Sequence, residues 1–219
     1  MKKCYLPILA GWVAALIVMP PAWAMADFHN ELLAIQHRWA HIKYEIPKAD
    51  RQDAFATLLH QSQAFHQMYP NNAEATLWSA VVLYNYAGEV RGIKALGMVK
   101  QSWRMLQQAE KIDPNAANGL IQTALGQLYY KVPSWPIAFG NAAKARDYLR
   151  QALARNPDGL DANYFMGDYL LRKKDYRNAA LHLRLAIHAP ARQERIIADS
   201  GRKADAKKLL QLAEAKLQN

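Results

Sequence analysis

Five of the seven histidines, His29, His37, His41, His60 and His66, lie near the start of the chain. His37 and His41 stand four apart, so a helix turns both rings to one side, and Glu45 continues that line. Two imidazoles and a carboxylate are a donor set that suits zinc. The spacing fixes no third ligand, and the glutamate that metallopeptidases hold between their two histidines is missing. Ordinary exposed helical histidines, or a pH-sensitive face, are the competing readings, and the expectation is a chain with no metal and no cofactor.

Catalytic spacing is equally absent. No Gly-x-Ser-x-Gly elbow, phosphate loop, dinucleotide fingerprint or Cys/His pair occurs, and the scattered Asp and Glu residues show no acid/base pairing. The chain reads as a non-enzyme whose chemistry lies in its surfaces. Tyrosine, an apolar ring with a hydroxyl donor, recurs at Tyr84, Tyr130 and Tyr164. Near these stand Asn85, Gln127, Lys131, Asp161, Asp168 and Arg172, groups that meet carboxylates, cations or a peptide backbone.

The elements that position these residues follow from composition and punctuation. With 52% hydrophobic and 21% charged residues in 219, the chain is too apolar for disorder and long enough to bury a core. Three turns share one grammar: Tyr69-Pro70-Asn71-Asn72, Asp113-Pro114-Asn115 and Asn156-Pro157-Asp158. Proline stops one helix, and Asn or Asp caps the next. The prolines are 44 and 43 residues apart, and 33 more lead to Pro190, which predicts a helix-pair repeat of about 34 residues with insertions. Gly167, Ala179, Leu183 and Ala186 form the clearest pair, small residues that let two helices approach around one leucine. Gly126, Ala145, Leu149 and Ala152 repeat it, as do Ala80, Ser102, Leu106 and Ala109.

This pattern resembles the tetratricopeptide repeat (TPR), over roughly residues 73–192. The resemblance implies an all-α, TPR-like right-handed superhelix of antiparallel helix pairs. Residues 27–72 read as an N-terminal hairpin, a cap or worn repeat, with Phe28, Leu32, Ile35, Trp39, Ile42 and Ile46 along one stripe. Residues 193–219 read as a basic C-terminal capping helix. The repeat register places Tyr84, Asn85, Gln127, Tyr130, Lys131, Tyr164, Asp168 and Arg172 along a concave groove suited to a protein or peptide partner. Tyrosines used only for packing are the alternative.

Two insertions interrupt the repeats, at about 86–97 with Glu89 and Arg91, and at 131–140 with Trp135 and Phe139. Ordered aromatic loops on a rigid scaffold are frequent binding sites, and plugs that fold back are the equal alternative. Together with Tyr84-Asn85-Tyr86-Ala87-Gly88, Lys131-Val132-Pro133-Ser134-Trp135-Pro136 and Asp161-Ala162-Asn163-Tyr164-Phe165-Met166-Gly167-Asp168, the combination is similar to the T-component family associated with TRAP transporters. That resemblance implies a periplasmic scaffold beside a solute-binding protein, or a carrier of a hydrophobic or organic-acid ligand. Those proteins are often lipid-anchored, whereas Cys4 here precedes the apolar run.

Compartment is read from the start of the chain. Lys2 and Lys3 precede an apolar run from Tyr5 to Met19, Pro20-Pro21, and the small-x-small sites Ala22-Trp23-Ala24 and Ala24-Met25-Ala26. That order predicts a signal peptide over residues 1–26, cleaved after Ala24 or Ala26, and a periplasmic protein. An uncleaved anchor is the alternative, although a span needs about 20 apolar residues and this run is shorter. Residues 27–139 carry 10 basic and 9 acidic side chains, and residues 140–219 carry 16 and 9. The basic C-terminal part suits an acidic protein surface or an anionic membrane, and no nucleic acid is expected; a merely solubilising face is the plain alternative.

Overall fold

The computed structural model describes residues 22–218. The apolar run of the expected signal lies outside them. Nine α-helices are found among the described residues: α1 (Ala22–Tyr44), α2 (Arg51–Met68), α3 (Ala73–Val90), α4 (Gly92–Ile112), α5 (Leu120–Lys131), α6 (Ala142–Arg155), α7 (Leu160–Arg172), α8 (Tyr176–His188) and α9 (Ile196–Leu217). No strand occurs among the described residues beyond an isolated bridge between Ser134 and Gly140. The expected all-α helical repeat is the observed fold.

The seams between paired helices follow one rule. A Cβ on Gly167 would lie 2.6 Å from Leu183 Cγ, and one on Gly126 would lie 2.8 Å from Leu149 Cγ. Glycine therefore admits the partner leucine, and both leucines are fully buried. In the α3–α4 pair the same approach is fixed by Ser102, whose hydroxyl donates to Ala80 O at 2.8 Å.

Prolines and amides set the entries. The Asn72 side chain accepts from Glu74 N and Ala75 N, capping α3 as the sequence predicts. At α5 and α7 a different device operates. Gln122 Nε2 donates to Pro114 O at 2.9 Å, and Asn163 Nδ2 donates to Pro157 O at 2.6 Å, so an amide one turn inside each helix holds the preceding proline turn. These two side chains are buried, where an unpaired amide is costly.

The insertion at 86–97 is not an open loop. α3 continues to Val90 and α4 begins at Gly92, with Arg91 (φ 58°) and Gly92 (φ 69°) making the reversal in the left-handed region. The extra residues lengthen both helices because their inner faces keep packing. The second insertion, by contrast, is an irregular turn from Val132 to Asn141.

The last helix does more than cap. α9 packs on α7 and α8, as a terminal helix should, and also on α1 at the other end of the chain. A Cβ on Gly201 would lie 2.3 Å from the Tyr44 ring, so glycine permits this return contact.

Candidate functional site

The concave face is divided in two. In the open part, Asp168 of α7 gathers three donors. Tyr130 donates its hydroxyl to Oδ2 at 2.8 Å, Lys131 Nζ lies 3.3 Å away, and Arg172 Nε donates to Oδ1 at 3.1 Å. The Asp168 side chain is 8% exposed. Burial disfavours its charge, but Lys131, the Tyr130 hydroxyl and Arg172 outweigh burial and hold its pKa below the ordinary carboxylate value. Burial and the facing carboxylate push the Tyr130 hydroxyl well up. Tyr84 is pushed up to about 12 by burial and Asp168, against the opposing influence of Arg172 and the Gln127 side chain. Six of the groove residues expected from sequence, Tyr84, Gln127, Tyr130, Lys131, Asp168 and Arg172, thus form one coupled cluster.

The other part is covered by the chain itself. Arg192 Nη2 and Arg202 Nε donate to the two oxygens of Asp161 at 3.0 and 3.2 Å, and Arg192 also pairs with Asp199. The Arg202 guanidinium lies 4.7 Å over the rings of both Tyr164 and Phe165. Arg195 lies 5.0 Å over Trp78, and His37 Nε2 is 2.6 Å from Glu194 O. Residues 192–202 thereby form a belt across the groove from α7 to α1. Burial disfavours the Asp161 charge, yet Arg202 and Arg192 prevail and hold its carboxyl well below the usual range. The cation that this aspartate was expected to meet belongs to the same chain. Tyr164 is consequently a covered rung of the tyrosine ladder, while Tyr84 and Tyr130 remain half-buried.

Solved structures similar to this chain include a TPR protein. TTC0263, a thermophilic TPR protein in Thermus thermophilus, superposes with a TM-score of 0.55 at 15% identity, covering 85% of this chain and 93% of that one. MamA protein (TM-score 0.44, 16% identity, 89% and 94% covered) and Pseudomonas aeruginosa pilF (0.35, 14%, 87% and 93%) are also similar. No family model and no curated protein matches the sequence. The fold is TPR-like.

The belt brings to the site residues that repeat spacing does not mark. Lys43 is the chief of these. Its Nζ lies 5.3 Å over Trp39 and 5.7 Å over Tyr44, and burial, then Arg202 and Lys131, lower its pKa to about 7. The one available signal was its place beside Ile42 on the apolar stripe of α1. Lys43, Trp39, Trp78, Tyr84, Phe165 and Arg195 help to line a cavity of about 50 Å³ between the belt and the first helices of the pairs. Such a volume holds a few waters and lies well below the roughly 300–1,000 Å³ of organic-ligand sites. Asn85 also lines it, with its amide donating to Val81 O at 2.8 Å.

The insertion residues separate by role. Phe139 stacks on Trp103 at 4.8 Å, and Trp103 Nε1 donates to Tyr129 OH at 3.1 Å, so Phe139 is a plug. Trp135 is 86% exposed. Glu89 is half-buried on α3, and Arg91 is exposed at the reversal. The histidine pair does not converge. His41 Nδ1 meets Glu45 at 2.7 Å, whereas His37 turns to the belt, and among the described residues no three His, Cys, Asp or Glu side chains gather as a metal site.

Proposed function

We propose that this protein is an exported, non-enzymatic interaction scaffold that takes a protein or peptide segment along the open part of its concave groove. The supporting observation is the Tyr84–Tyr130–Lys131–Asp168–Arg172 cluster, which joins tyrosine rings to oriented charges beside a rigid helical wall. Half-buried tyrosines bring large contact area at low entropic cost, and Arg172 and Lys131 orient a polar backbone or carboxylate. The belt sets one end of the groove, so the bound segment runs from Tyr84 toward Arg172. A photo-crosslinking side chain placed at Tyr84 tests this against one at His60 on α2. The expected result is a discrete crosslinked partner from an envelope extract at Tyr84 alone. Equal crosslinking at both positions would overturn groove binding. Export is tested separately, since the mature protein should begin at Met25 or Asp27.

A carrier linked to a TRAP-type transporter is the second reading, for a hydrophobic or organic-acid ligand. The cavity behind Tyr84 would have to grow several-fold to hold such a molecule, and the more open hollow of about 450 Å³ beside it, lined by Trp78, Asp161 and Arg195 among others, is the place that suits the carrier reading. Native mass spectrometry of the gently purified protein separates the two, because a retained small molecule belongs only to the carrier.

A further inference from the structure

Antiparallel helix pairs place their turns on two rims, and here the rims differ in chemistry. The α2–α3, α4–α5 and α6–α7 turns carry Pro70-Asn71-Asn72, Asp113-Pro114-Asn115 and Asn156-Pro157-Asp158, with no cation in any of them, and the α8–α9 turn on the same rim carries Arg192 and Arg195, which are engaged with Asp161, Asp199 and Trp78. The opposite rim holds the α3–α4, α5–α6 and α7–α8 turns. It carries Arg91, Ile93 and Lys94, then Trp135 and Ile137 with Lys144 just beyond, then Lys173 and Lys174. Ile93, Trp135 and Ile137 are 93%, 86% and 64% exposed. Glu89 and Asp175 are the acids beside these three turns, and Asp175 is engaged in capping α8. The α1–α2 turn, with Glu45, Lys48 and Asp50, adds no net attraction.

The exposed tip is held from below. Phe139 is stacked on Trp103, Ala138 is buried, Gly140 N donates to Pro133 O at 2.9 Å, and Asn141 N donates to Tyr129 O at 2.8 Å. With its base pinned, the turn presents Trp135 and Ile137 outward instead of letting them fold onto the core. Val132 and Ser134 share a pocket wall with Arg172 and Lys173, so cations adjoin the tip. Ala213 packs on Ala179 and Ala180 at the start of α8, which brings Lys216 and the half-exposed Leu217 to the same rim.

We propose that this rim is a peripheral membrane-docking surface, with Trp135 and Ile137 entering the interfacial layer of an anionic bilayer and Lys144, Lys173 and Lys174 meeting lipid phosphates. A tryptophan on a protruding turn suits the headgroup layer, where its ring is half in apolar and half in wet surroundings. Lysines draw the rim to a negatively charged surface. One anchor alone binds marginally, so the apolar tip and the cations are both required. No helix among the described residues is long and apolar enough to cross a membrane. Of the 16 basic residues of the C-terminal part, Lys144, Lys173, Lys174 and Lys216 thus lie where an apolar tip accompanies them, and Tyr84 in the groove stays available.

Co-sedimentation with vesicles of phosphatidylglycerol and phosphatidylcholine tests this, with phosphatidylcholine vesicles as control. The protein is used without the apolar run Tyr5 to Met19, which precedes every described helix. The expected result is binding to the anionic vesicles, its loss in high salt, and at least about tenfold weaker partitioning of the W135A/I137A variant with its circular dichroism unchanged. K173E/K174E, which alters only exposed side chains, should weaken binding in the same assay. No binding to anionic vesicles, or equal partitioning of W135A/I137A and the unaltered protein, overturns the proposal. So does recovery of an acidic protein through Trp135 without vesicle binding.

Discussion

Arg202 in α9 donates from Nε to Asp161 Oδ1 in α7 at 3.2 Å, joining the last helix to the inner wall of the groove. The two side chains are 7% and 13% exposed, and the guanidinium is also stacked on Tyr164 and Phe165. Removing one partner of such a buried pair leaves the other charge without compensation. Arg202→Ala should therefore cost about 3–5 kcal/mol in urea unfolding, and Asp161→Asn a comparable amount. Arg192→Ala should also destabilise, because it leaves Asp199, 5% exposed, without its guanidinium even though the Arg202 contact to Asp161 remains. A loss below about 1 kcal/mol for Arg202→Ala would show that the belt is dispensable to the fold.

Glycine offers a test in which the sign of the effect changes with position. At an exposed mid-helix site, Gly→Ala stabilises by about 0.5–1 kcal/mol, and Gly97 has nothing within 4 Å of an added Cβ. Gly167→Ala should instead destabilise by about 1–3 kcal/mol, since the new methyl group meets Leu183 at 2.6 Å. Gly126→Ala should follow it through Leu149. Thermal or urea unfolding of the three variants measures the contrast, and stabilisation at Gly167 would mean that the seams are loosely packed.

The contrast between seam and belt explains what was legible in the sequence. Gly167, Ala179, Leu183 and Ala186 lie within one helix pair, so a local period exposes the seam and the groove residues of the repeats follow from the same register. The α3–α4 reversal was obscured because Gly88, Gly92 and Gly97 read as loop punctuation, although inner-face packing outweighs their poor helix propensity. The belt was hidden for another reason. Arg192 and Arg202 reach Asp161 from 31 and 41 residues away, and no spacing rule pairs residues that only the closure of the whole stack brings together. Lys43 was missed for the same cause, since its neighbours Arg202 and Lys131 lie far from it in sequence.

The Trp103–Phe139 stack predicts how the long turn behaves. Phe139→Ala should remove the plug and cost about 2 kcal/mol, while Trp135→Ala, at an exposed tip, should stay within about 0.5 kcal/mol. Limited proteolysis between Val132 and Asn141 should accelerate in Phe139→Ala alone. Equal cleavage of both variants would show that the turn is held by its backbone hydrogen bonds without the ring.

The charged groups give opposite pH limbs. Lys43 titrates at about 7 in the folded state against 10.5 when unperturbed, so between these values the unfolded chain binds the extra proton. Stability from this group therefore rises as pH increases from about 7 toward 10.5, and the penalty for its charge is full below that window. Asp161 and Asp168 act in the reverse sense. Their folded pKa values lie below the ordinary 3.8, so the stability they contribute is present above that value and is lost as pH falls through the folded ones. Lys43→Met should raise the melting temperature at neutral pH, and its advantage should shrink toward pH 10, whereas Asp168→Asn should flatten part of the acid limb. A pH-independent effect of Lys43→Met would place the ammonium in free contact with water and remove it from the belt's electrostatic network.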